Sequence, residues 1–153
     1  MIVFRLSKLK FANDLSGKGA EKSGGRWNSQ GTALVYTSES RALCTTEIAV
    51  HTPLGNLPFD YQLISIEISD DIQIKELAAG ELSGSWNSIP HSHSTQEIGD
   101  KFVAEGKFLI LKVPSVVVPG DYNYLLNPSH PEFYKVKIIS IQPFNFDERL
   151  FIK

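Results

Sequence analysis

A single cysteine, Cys44, stands in the 153 residues, which excludes an intramolecular disulfide and fits a reducing compartment. The chain also lacks a charge excess of either sign. Fifteen basic and 17 acidic side chains leave a formal charge of −2, spread along the sequence, so nothing electrostatic singles out nucleic acid or an anionic membrane as a partner. No apolar run approaches the roughly 20 residues that span a bilayer as a helix. The opening segment MIVFRLSKLKF is broken by Arg5, Lys8 and Lys10 before a signal-peptide core forms. These absences lead us to expect a soluble, cytoplasmic protein. Neither a GxGxxG loop nor a P-loop is present, which argues against the Rossmann and Walker modes of nucleotide binding. His91, His93, His130 and Cys44 follow no zinc-ligand spacing, so no metal is expected.

What is present suffices for one core. A chain of this length with 42% hydrophobic residues fits one compact domain, residues 1–153, without repeat, low-complexity block or linker. Ile2 to Leu6 reads as a strand and Asn13 to Gly25, rich in Gly, Ser and Lys, as a loop. Ala33 to Thr37 reads as a strand; Ser38 or Ser40 can then cap a helix from Arg41 to His51, which Pro53 ends. Tyr61 to Ser69 alternates, with Ile64, Ile66 and Ile68 on the more apolar face. Ile72 to Leu77 reads as a short strand and Gly80 to Ser94 as a loop. The spacing of Ile98, Phe102 and Val103 predicts a helix over Thr95 to Glu105, stopped by Gly106. Phe108 to Val113 is apolar enough for a central strand, and Val116 to Val118, Tyr122 to Leu126, Tyr134 to Ile141 and Leu150 to Ile152 are further strand candidates. Many strands and two clear helices make an α+β domain with a mixed, mostly antiparallel sheet.

The segment from Gly24 to His51, GGRWNSQGTALVYTSESRALCTTEIAVH, carries the chemistry. Arg26, Tyr36 and Glu47 fall on a loop, a strand and a helix, which can deliver all three to one cleft. A cation, an aromatic ring and a carboxylate together suit an anionic substrate bearing a ring and a sugar. On the helix Leu43, Glu47 and Val50 share a stripe, so Glu47 faces inward, where a carboxylate needs a donor or a cleft. The plainer reading is a surface glutamate paired with His51 four residues on. Arg26 offers a planar fork of donors suited to a diphosphate, and Gly24 and Gly25 let backbone come close to a ligand. A loop arginine is more often solvated and idle, and a strand tyrosine such as Tyr36 more often fills a core. Trp27 reads as packing that anchors the loop, and Asn28 as the fixer of its turn. Ser115 follows Pro114 at a strand end, where it is either a ligand contact or a turn residue. No Gly-x-Ser-x-Gly elbow surrounds it, so it is not read as a covalent nucleophile.

The ordered set of GGRWN, Tyr36, Glu47, Trp86, Ile98-Gly99-Asp100, Ser115 in VPSVVVPG and NYLLNPSHPEF from Asn123 to Phe133 resembles the RES domain family across nearly the whole chain. The family takes its name from an arginine, a glutamate and a serine, which match Arg26, Glu47 and, as the candidate, Ser115. The resemblance implies an ADP-ribosyltransferase-like fold and a toxin that degrades NAD by releasing nicotinamide from its ribose, with water or phosphate as acceptor. NAD is then a consumed substrate and no cofactor is required. The resemblance assigns Arg26, Glu47 and Tyr36 to catalysis, Arg26, Tyr36, Ser115 and Gly25 to substrate binding, and a helix-turn-helix, Xre-like antitoxin as partner. Two alternatives stand beside it: transfer of ADP-ribose to a cellular protein, and a non-catalytic module that pairs with a regulator.

Overall fold

The computed structural model of the protein describes residues 1–152, the side chain of Ala79 excepted. Its strands are β1 (Ile2–Lys8), β2 (Val35–Ser38), β3 (Tyr61–Ile68), β4 (Ile74–Glu76), β5 (Ile110–Pro114), β6 (Tyr122–Leu126) and β7 (Val136–Phe144). They form one sheet in the order β4-β5-β6-β2-β1-β3-β7, antiparallel except for the β4–β5 pair. The α-helices are α1 (Lys18–Ser23), α2 (Arg41–His51) and α3 (His93–Glu105). The expected α+β class and mostly antiparallel sheet are what the chain adopts.

One seam in the sheet matters most. Strand β1 runs in register with β3 along its length, but it meets β2 at the single pair Phe4↔Ser38. The two strands then part, and the sheet divides into a β1-β3-β7 half and a β2-β6-β5-β4 half.

Each half has its own helix. Cys44 and Ile48 of α2 pack on Phe4, Leu6 and Leu63, with Phe146 and Phe151 closing the cluster. Phe102 of α3 packs on Leu111, Val113 and Leu125, together with Trp27 and Leu34. On the opposite face Val3, Val35, Ile64, Ile66, Ile68, Ile110 and Leu126 form a third cluster that bridges the seam. Each such Leu, Ile or Phe contributes about 1.5–3 kcal/mol by leaving water. The alternation read in β3 holds: Ile64, Ile66 and Ile68 are at most 1% exposed.

Helix α2 starts where Ser40 accepts a hydrogen bond from Leu43 N at 3.0 Å, so Ser40 and not Ser38 is the cap. Helix α3 starts two residues earlier than its apolar spacing suggested, because Ser92 caps it, and it ends at Gly106 with φ 60°.

Four expectations are corrected. Residues 18–23, expected as loop, form α1; its sequence KGAEKS has no apolar stripe, and its carbonyls are held from outside by Asn28 Nδ2 on Ala20 O (2.8 Å) and Gly31 N on Glu21 O (2.8 Å). Val116 to Val118 is a turn, because the Ser115 hydroxyl captures the Val117 and Val118 amides that a ladder would need. Leu150 to Ile152 is no strand: Leu150 ends a 3₁₀ turn, Glu148–Leu150, after which Phe151 sinks into the α2 cluster. The apolar strand at residues 110–114 is next to the short edge strand β4 rather than central, and is buried because α3 covers one face and the third cluster the other.

Candidate active site

The parting of β1 from β2, with α2 on one side and α3 on the other, leaves a cleft of about 840 Å³. Arg26, Tyr36, Glu47 and Gly25 all line it. Ser115 does not.

Arg26 is on a tight loop closed by Gly25 N donating to Asn28 O at 2.9 Å. Helix α3 clamps this loop: Thr95 Oγ1 donates to Arg26 O (2.6 Å), Gln96 Nε2 to Gly25 O (3.0 Å), and Ser29 N donates to Asp100 Oδ1 (2.9 Å). The clamp needs Gly99, whose α-carbon lies so close to Trp27 that a Cβ would be 1.6 Å from its carbonyl oxygen. The guanidinium donates from Nη1 to the carbonyls of Trp86 (2.9 Å) and Ser88 (3.1 Å). Among the described residues its other nitrogens meet no acceptor. Burial lowers its pKa, opposed by the charge of Glu47 and by Tyr36.

Tyr36 holds this loop from the other side. Its hydroxyl accepts from Trp27 N at 3.0 Å and donates to Asn28 Oδ1 at 2.6 Å, and burial pushes the phenol well above its ordinary range. Its proton is therefore committed to Asn28, which leaves only a lone pair and the ring face for a ligand. Gly25 is explained by the same contact, since a Cβ there would be 2.7 Å from the Tyr36 hydroxyl oxygen. Asn28, fully buried, fixes the turn as expected, with Nδ2 donating to Ala20 O and Thr32 O. Trp27, 3% exposed, packs beside Trp86 with ring centroids 6.3 Å apart.

Glu47 projects from α2 into the cleft, and its pKa is raised: burial outweighs the hydrogen bond from Asn123, the charge of His51, the hydrogen bond from Ser115 and the charge of Arg26. The inward stripe is thus real for Leu43 and Glu47, while Val50 turns to the rim at 56% exposure. Ser115 is 3% exposed; its Oγ accepts from Val117 N and Val118 N, both at 3.1 Å, and donates to Glu47 Oε1 at 3.4 Å. Its hydroxyl braces the carboxylate from behind, so the structure shows it as a turn residue that also touches Glu47.

Two lining residues escaped the sequence reading. Asn123, noted only as the start of a segment, touches Glu47 and donates to Thr37 O (3.3 Å) and Ser38 Oγ (3.2 Å). Arg5, noted only as an interruption of an apolar run, lines the cleft from β1. Its signal was its phase with Val3 on a strand, which puts a cation on a buried face. Cys44 also borders the cleft, but burial pushes its thiol up to about 11, and it packs as an apolar residue. His130 closes the turn after β6, with Nδ1 accepting from Glu132 N at 3.1 Å. Among the described residues no group of His, Cys, Asp and Glu is arranged to hold a metal ion.

Comparison with known families matches residues 2–147 to the RES domain. The chain belongs to the RES domain family. Among relatives of this RES domain, the Prs ADP-ribosylating toxin of Sphingobium sp. (strain YBL2) is 37% identical over 144 residues, covering 93% of this chain and 89% of that one. Toxin Res of Photorhabdus laumondii subsp. laumondii is 36% identical over 152 residues, covering 98% and 97%. A chain of the crystal structure of the M. tuberculosis MbcT-MbcA toxin-antitoxin complex superposes with a TM-score of 0.75 at 18% identity, over 94% of this chain and 84% of that one. That likeness is one of fold. The family match and the toxin relatives place this RES domain among the toxins. No helix among the described residues is long and apolar enough to cross a membrane.

Proposed function

We propose that this RES domain is an enzyme that consumes NAD, breaking the bond between nicotinamide and ribose and passing the ADP-ribosyl group to water or phosphate. The observation that carries the reading is the convergence of Arg26 and Glu47 on one cleft across the seam of the sheet, without an ion pair between them to neutralise either. As nicotinamide departs, the ribose becomes electron-deficient, and a carboxylate held beside it stabilises that charge or binds its hydroxyls. Glu47 takes this role, braced by Ser115 and Asn123. Arg26, pinned through Nη1, presents its remaining donors to the diphosphate. Tyr36 presents its ring and a lone pair, and its main contribution is to hold the loop that carries Arg26.

The test is incubation of the purified chain with NAD, with and without phosphate, followed by identification of products. Nicotinamide with ADP-ribose or its phosphorylated form is expected, and both Arg26→Ala and Glu47→Ala abolish the reaction. Full turnover by either variant refutes the assignment.

A toxin that drains NAD requires restraint, and we propose an antitoxin of the helix-turn-helix, Xre-like kind seated over the cleft. Val50 and Ile89 on its rim are 56% and 90% exposed, apolar area that a partner would cover. The protein-directed alternative is favoured by one observation, the similarity to the Sphingobium relative, which is an ADP-ribosylating toxin. Mass spectrometry of treated lysate separates the two: a protein carrying ADP-ribose in place of the free sugar identifies transfer.

A further inference from the structure

We propose that the chain pairs with a second copy of itself through an apolar patch where α2 gives way to β3, outside the cleft and independent of the reaction proposed above. The patch is built from the loop of residues 52–60, the end of β1 and the 3₁₀ turn Glu148–Leu150.

The loop carries Leu54, Leu57 and Phe59, which are 92%, 42% and 76% exposed, and it is tied down near both ends. Near one end Gly55 N donates to Phe151 O at 3.1 Å, which brings the C-terminal turn and its half-exposed Leu150 to the loop. Near the other the carbonyl of Asp60 accepts from Leu9 N at 3.0 Å, and Leu9 and Phe11, each about half exposed, follow directly on β1. Apolar side chains scattered singly over a surface need no explanation, but six gathered along one loop do. Together they expose several hundred square ångströms, the scale of the about 800 Å² that each partner brings to a standard interface.

Phe59 is held outward rather than left loose. Asp60 has φ 62°, the one positive value outside glycine among the described residues, and a left-handed turn is uncommon for a residue with a side chain. Lys8 Nζ sits 4.1 Å from the Phe59 ring centroid and donates to the Phe59 carbonyl. The neighbouring rings of Tyr61 and Phe144 meet Phe146 edge to face in the α2 cluster, and Phe59 does not join them. An exposed ring whose backbone and side chain are fixed beforehand loses little freedom on binding, which suits an interface anchor.

The charges along the loop select the partner. At the β1 end Lys8 and Lys10 outnumber Asp60. At the other end Arg149 is taken by Asp147, with Nη2 2.6 Å from Oδ2, and Glu148 has no ion-pair partner among the described residues. A patch of one sign would call for a partner of the other. This one is positive at one end, negative at the other and apolar between, so it complements itself after a half-turn. A two-fold axis through the middle of the loop sets Leu54 and Phe59 of one copy against Phe59 and Leu54 of the other, and Lys10 against the second copy's Glu148.

Analytical ultracentrifugation of the full chain tests this, since the probe is the protein itself. A monomer–dimer equilibrium at micromolar concentration is expected. Leu54→Asp and Phe59→Ser, at positions too exposed for the fold to depend on them, should each raise the dissociation constant at least about tenfold while circular dichroism stays as in the wild type. Lys10→Glu and Glu148→Lys should each weaken the dimer several-fold, and the two together in one chain should restore it to within about twofold. A wild type that stays monomeric at every accessible concentration overturns the inference; if it floats with phosphatidylglycerol vesicles instead, the patch belongs to a membrane. A dimer indifferent to Leu54→Asp and Phe59→Ser, or a double charge variant no tighter than the singles, overturns it as well.

Discussion

Gly99 of α3 lies against the backbone of Trp27, with room for a hydrogen and not for a methyl group: a Cβ there would be 1.6 Å from the Trp27 carbonyl oxygen. This contact sets the distance between α3 and the loop that presents Arg26, and it allows Thr95, Gln96 and Asp100 to reach that loop. Gly99→Ala must push the helix and loop apart. We expect a loss of about 3 kcal/mol, an overpacking cost at the upper end of the usual range, and a melting temperature lower by about 6–12 °C in thermal denaturation. KM for NAD rises with it, since Arg26 moves.

Glu47 makes a prediction about pH with two signs. Its folded-state pKa is raised by burial above the ordinary 4.5, so the folded protein binds that proton more tightly than the unfolded chain. The stability linked to this group is complete below pH 4.5 and is lost as pH rises through the folded value. Glu47→Gln is therefore expected to melt higher than the wild type at neutral pH, and the difference should vanish as pH falls below the unfolded pKa. Activity runs the other way: the carboxylate must be ionised, so Glu47→Gln loses on the order of a hundredfold or more in kcat. Melting curves of both proteins across pH 4 to 8 decide it, and a variant less stable at neutral pH would contradict the assignment.

The bracing groups behind Glu47 tune the same ionisation. Asn123 and, more weakly, Ser115 each lower its pKa by donating to the carboxylate, against the burial that raises it. Removing either donor lets burial prevail. The acid limb of the kcat/KM profile is expected to move to higher pH in Asn123→Ala and by a smaller step in Ser115→Ala. An unmoved limb in both would show that Glu47 is not the group being titrated.

The sequence made legible what depends on local spacing. Ser40, the Leu43 and Glu47 stripe, the Ile64-Ile66-Ile68 face and the Gly106 stop are all set by neighbours within one or two turns or strand repeats. What it hid depends on distant partners. Helix α1 exists through bonds from Asn28 and Gly31, the Val116 to Val118 run turns because a hydroxyl takes its amides, and Arg5 belongs to the cleft only because β1 and β2 part after one pair. Ser115 is instructive: its position at a strand end was readable, but not that its hydroxyl points at Glu47 across 68 residues of sequence. Trp86, Gly99 and Asp100, noted by resemblance alone, acquire a physical reason as parts of the Arg26 clamp.

Tyr36 separates a holding role from a chemical one. Its hydroxyl accepts the Trp27 N–H and donates to Asn28, so Tyr36→Phe leaves a buried donor and a buried acceptor unmatched at once. A cost of about 1–3 kcal/mol follows, read as a melting temperature several degrees lower. With its anchor gone the Arg26 loop loosens, and KM for NAD is expected to rise while kcat at saturation falls by less than about threefold. Gly25→Ala, whose Cβ would be 2.7 Å from the same hydroxyl oxygen, should reproduce that pattern with the tyrosine intact. If the phenol proton took part in bond breaking, Tyr36→Phe would instead lower kcat by the 10²–10⁴-fold of a lost general acid, with KM little changed, and Gly25→Ala would not match it.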